Sequence, residues 1–70
     1  MRLISDTVAI TKRESEILAL LADGLTGREI ATWLHVSNHT IESHRKNMMV
    51  KMGARNTVHL VVKAVRMGII

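Results

Sequence analysis

The sequence predicts an all-α domain of four short helices, and three observations carry that expectation. Thr11 is followed three residues later by Glu14, and Thr26 three residues later by Glu29, the spacing of two capping boxes within 70 residues. Gly24, Gly53 and Gly68 each close a periodic segment, where a helix stop favours glycine. Between caps and stops the apolar residues recur at helical spacing, so that each segment has one face able to enter a core.

The first helix is expected over residues 11–23, with Ile17, Leu18 and Leu21 on one face. Glu14 shares that face, and a carboxylate there needs a partner: Arg45, Lys51 or a helix-terminal amide, with its capping bond to Thr11 as the minimum role. The second helix, 26–35, places Ile30, Ala31 and Leu34 inward. Trp33, the only aromatic residue, borders this face and is expected to lie as a lid over the core edge; the alternative is a contact surface.

The third helix, 38–52, starts from Ser37 as cap and turns Ile41, Met48 and Met52 inward, with His44 or Arg45 completing the middle turn. His39, Glu42, Ser43, Lys46, Asn47 and Val50 are left on the opposite side. The fourth helix, 56–67, is capped by Asn56 and is the least amphipathic. Leu60, Val61, Ala64 and Val65 can face the core, which leaves Val58, Val62 and Ile69 over; an apolar remainder on so small a chain marks an interface. Val58, Val62, Val65 and Ile69 are therefore the candidate contacts of a two-fold homodimer. Residues 1–9 read as an N-terminal arm or linker stub ahead of a domain over 10–70.

A chain of 70 residues buries only roughly 60% of the surface its unfolded form exposes, and without cysteine no disulfide supports the thin core. No apolar run is long enough to span a membrane, and the start lacks the apolar stretch of a signal peptide, so the chain reads as soluble and intracellular. The net charge of +4 is unevenly spread. Residues 1–42 hold all six acids against four bases, whereas residues 43–70 hold six bases and no acid. A polarised positive surface attracts a polyanion, of which nucleic acid is the commonest.

Only His35, Val36 and Ser37 separate the second and third helices, which forces the sharp turn of a helix-turn-helix. In that motif the second helix enters the major groove and the first crosses the phosphate backbone. Spacing alone is weak evidence, but the residues are more specific. Thr11-Lys12-Arg13-Glu14, Gly24-Leu25-Thr26, Glu29-Ile30-Ala31, Leu34-His35-Val36-Ser37, Thr40-Ile41, His44, Lys51-Met52-Gly53-Ala54 and Gly68-Ile69-Ile70 follow one another in order. This string closely resembles the LuxR-type (GerE-like) helix-turn-helix output domain of bacterial transcription regulators. The resemblance implies a compact four-helix domain with its third helix as reader and its fourth as dimer contact, in a cytoplasmic regulator whose sensor or receiver domain precedes it. Three positions depart from the family pattern: Lys12 stands where proline is common, Glu42 where lysine is common, and Trp33 where a charged residue is common.

On this reading Glu42, Ser43, Lys46, Asn47 and His39 are the candidate base contacts, since lysine donates to guanine, asparagine pairs with adenine and a carboxylate accepts from cytosine. Glu42 has an equal alternative as an internal partner of Arg45 or Lys46. Thr26, Arg28, Asn38, Thr40, His44, Arg45 and Lys51 are the candidate phosphate contacts, His44 having a core role as its alternative. His35 and His39 are four apart, but the Ser37 cap puts a turn between them. No metal or other cofactor and no enzymatic activity is expected. Competing readings are a protein-interaction adapter built on the same scaffold, and RNA binding, which a single aromatic residue supports poorly.

Overall fold

The computed structural model describes residues 9–70; of the expected arm over residues 1–9, all but Ala9 lies outside the described residues. Four helices follow in order: α1 Lys12–Ala22, α2 Gly27–Leu34, α3 Asn38–Met52 and α4 Thr57–Arg66. Each begins where its cap does. The Thr11 hydroxyl accepts from the Glu14 amide at 3.1 Å while the Thr11 amide donates to Glu14 Oε1 at 3.0 Å. Thr26 and Glu29 repeat the exchange at 3.1 and 2.8 Å. Ser37 Oγ accepts from the Thr40 amide, and Asn56 Oδ1 from the His59 amide.

The helix ends follow the glycines except in one place. Gly53 caps α3 in the left-handed region at φ 63°, but α2 closes on His35 in the same conformation, φ 59° and ψ 43°. A side chain there crowds the following carbonyl and costs about 1 kcal/mol. His35→Gly is accordingly expected to raise stability by about 1 kcal/mol, an increase in Tm of roughly 4–8 °C measurable by thermal circular dichroism.

The core is formed by Ile17 and Leu18 of α1, Ile30 and Ala31 of α2, Ile41, Met48 and Met52 of α3, and Leu60 and Ala64 of α4. Leu21 and Leu34 pack at its rim. Helix α3 touches all three other helices, as α1 does, whereas α2 and α4 do not touch each other. The orientation of α3 is fixed from three sides.

Two expectations fail here. Trp33 is 68% exposed and is no lid. Ile30, Ala31 and Leu34 take the inner face of α2, and at about 100° per residue the next position falls roughly a quarter turn away from it. Val65 does not fill the core either: Leu60 and Ala64 suffice, Val61 is half-buried and Val65 is exposed.

Candidate nucleic-acid interface

The tight α2–α3 connection brings the two helix N-termini toward each other, with Gly27 at the point of approach. A Cβ on Gly27 would lie 3.3 Å from Glu42 Oε2, 3.7 Å from Ile41 Cγ2 and 3.9 Å from Asn38 Oδ1. The first turns of α2, with Thr26 and Arg28, and of α3, with Asn38 and Thr40, thus border one surface. Thr26, Arg28 and Asn38 are exposed; Thr40 is half-buried, its hydroxyl 2.8 Å from Ser37 Oγ.

With Ile41, Met48 and Met52 locked inward, the opposite side of α3 is a crown of exposed His39, Ser43, Lys46, Asn47 and Val50. Four of the five candidate base contacts therefore stand together. The fifth, Glu42, lies on the flank of the crown and is half-buried. Arg45 Nε donates to its Oε1 at 3.2 Å, and Nη2 donates to the same oxygen. That bond, chiefly, holds the Glu42 carboxyl below its usual pKa range, with the Arg45 and Lys46 charges adding to it against slight burial. In the free protein Glu42 is thus an internal partner of Arg45. Val50, 83% exposed in the middle of the crown, carried no role in the sequence reading, although its place beside Lys46 and Asn47 on the helical wheel was visible there.

Two of the candidate phosphate contacts, Arg45 and Lys51, are engaged inside the domain. Arg45 also donates through Nη1 to Thr57 Oγ1 at 3.1 Å, bridging α3 to the start of α4. Lys51 Nζ donates to Glu14 Oε1 at 2.7 Å and to the Ala9 carbonyl at 2.8 Å. Glu14 is 3% exposed. Burial pushes its carboxyl up, but the Lys51 hydrogen bond, the Thr11 amide and the charges of Lys51 and His44 together bring it below the usual range. His44 is half-buried on that same side of α3. Lys63 in turn donates to the Met52 carbonyl at the C-terminus of α3. The basic excess of residues 43–70 is therefore partly architectural: Arg45, Lys51 and Lys63 tie helices together, and Lys46, Arg55 and Arg66 are the exposed remainder. Sequence counting overstated the charge free for a polyanion.

On α4, Val58, Val62 and Val65 are exposed, while Ile69 packs against the core from the C-terminal side and keeps part of its surface. No group of three or more His, Cys, Asp or Glu side chains that could hold a metal occurs among the described residues.

A short second helix crossed by a longer one with an exposed polar crown is a helix-turn-helix. The family model described as bacterial regulatory proteins, luxR family, matches residues 8–64. The chain belongs to this family. Among its luxR-family relatives, the uncharacterized response regulatory protein YgeK of Escherichia coli (strain K12) is 48% identical over 60 residues, which are 86% of this chain and 41% of that protein. The spore germination protein GerE of Bacillus subtilis (strain 168) is 41% identical over 59 residues, 84% of this chain and 80% of GerE. Among solved structures, the response regulator ChrA of a heme-sensing two-component system superposes with a TM-score of 0.86 at 32% identity, over 89% of this chain and 31% of that one. The four helices are thus those of a luxR-family transcription-regulator domain. The chain spans less than half the length of YgeK and of ChrA.

Proposed function

We propose that this luxR-family domain binds duplex DNA sequence-specifically, with α3 lying in the major groove and α4 joining two copies. The observation that carries this reading is the crown of His39, Ser43, Lys46, Asn47 and Val50, exposed on a helix whose other sides are held by three neighbours. Lys46, Ser43, Asn47 and His39 face the base edges, with Glu42 at their flank; Val50 adds an apolar group suited to a thymine methyl. Thr26, Arg28, Asn38 and Thr40, at the paired helix N-termini, take the phosphates, where amide donors and the helix dipoles favour an anion. His44 and Lys51 are secondary phosphate contacts, since the one is half-buried and the other engaged within the fold, while Arg45, tied to both Glu42 and Thr57, serves the fold rather than a phosphate.

Val58, Val62 and Val65, with the rim of Ile69, form the dimer contact, and the two-fold places two copies of α3 on half-sites about 10 bp apart. In a bacterial cytoplasm the domain, over residues 10–70, acts as the output part of a regulator under a sensor or receiver domain, a role consistent with its response-regulator relatives. No catalytic step and no cofactor enters this function. A protein-interaction adapter is the second reading, and the exposure of Trp33 beside Arg28, Thr32 and His35 favours it over what the sequence indicated.

Selection from a random duplex pool at about 100 mM salt, where phosphate contacts still contribute strongly, separates the two. The expected product is an inverted repeat with half-sites about 10 bp apart. No enrichment, together with no binding at low salt, would remove the DNA reading and leave the adapter.

A further inference from the structure

Glu42 is a carboxylate on the flank of the exposed crown of α3, and the structure surrounds it with an arrangement that a merely tolerated acid does not need. Arg45 directs two of its nitrogens, Nε and Nη2, at the single oxygen Oε1. Its third nitrogen is fastened to Thr57 Oγ1, twelve positions along the chain in the first turn of α4. The other carboxylate oxygen, Oε2, accepts no hydrogen bond among the described residues and borders Gly27, 3.3 Å from where a Cβ on that residue would lie. The Glu42 side chain keeps 43% of its surface exposed against 26% for Arg45, so the acid lies outermost and the arginine behind it.

We infer that Arg45, anchored on Thr57, is a positioning residue for base selection: it holds Glu42 so that Oε2 is presented to an amino group on a base edge. The inference rests on the reading of α3 as the groove helix. A free glutamate beside a groove walled by phosphates is repelled and rotates away. A glutamate neutralised through one oxygen keeps its second as a fixed acceptor. In the major groove such an acceptor selects the N4 amino group of cytosine. The same arrangement removes Arg45 from the phosphate contacts, because the donors of its planar fork are turned toward Glu42 and Thr57.

The test compares duplex selection by the whole chain as wild type, E42A, R45M, R45K and T57V, each checked for folding by circular dichroism and for salt dependence of binding. The wild type is expected to retain a cytosine at one fixed pair of each half-site. E42A and R45M should each relax that pair by roughly ten-fold and leave the other pairs as they were. R45K should relax it as well, since an ammonium is a point charge that does not reproduce the fork. T57V, which leaves both charged side chains in place, should relax it to a smaller extent and provides the answer if R45M does not fold. A wild type that enriches a repeat which R45M and T57V match base for base overturns the inference while leaving the DNA reading intact. An R45M that loses affinity evenly for all sequences, with the salt slope lower by about one and with R45K restoring binding, makes Arg45 a phosphate contact and overturns it too. A wild type that enriches nothing removes the reading of α3 and this inference with it.

Discussion

Lys51→Met is expected to lower the stability of the domain by about 2 kcal/mol, because it leaves the buried Glu14 carboxylate without its charged hydrogen-bond partner. The figure is set below that for a fully enclosed ion pair because Lys51 keeps a third of its side chain in water. For a domain of this size the change corresponds to a fall in Tm of roughly 8–16 °C. Its pH dependence has a definite sign. The Glu14 carboxyl lies below its usual range when folded, so the stabilisation it supplies is fully present above the unfolded pKa of about 4.3 and is lost as pH falls through the lower folded value. The gap between wild type and K51M should therefore be widest near neutrality and close in acid. Thermal unfolding from neutral pH down to about pH 3 reads both, and a gap independent of pH would mean that Lys51 acts through packing alone.

The largest effect on binding is expected at Lys46. Truncation to alanine should weaken binding to the selected repeat by about 10- to 100-fold per half-site and relax preference at one base pair, the loss of a single base-edge contact. Stability should stay within about 0.5 kcal/mol, because Lys46 is exposed and touches no part of the core. Titration of the selected duplex and of its single-base variants at fixed salt measures this. An even loss over all variants would instead make Lys46 a phosphate contact, and the base pair would then be read by something other than Lys46.

The parts of this protein that were legible in the sequence are those set within one helical turn. Thr11 with Glu14, Thr26 with Glu29, and the Ser37 and Asn56 caps act over three residues, so the starts of the four helices could be read from neighbours alone. The inward stripes, and with them the crown of α3, followed from the helical period. The left-handed end of α2 was not visible, because His35 gives no signal of the kind glycine gives at Gly53.

Trp33 shows the limit of periodicity: a residue beside the apolar stripe is a lid or a surface depending on what packs against α2, and α4 does not reach it. The basic half of the chain shows the limit of counting. Its composition determined that positive charge would be concentrated there, but not that Lys51 would reach a carboxylate 37 residues away or that Arg45 would span to Thr57. By itself, then, the sequence determined the helices, their inner faces and the family, through contacts between residues a turn apart. Only the tertiary structure decided which charges are partners, which are free to face a ligand, and how Glu42 is held. Those depend on how the helices cross, and no local spacing encodes a crossing.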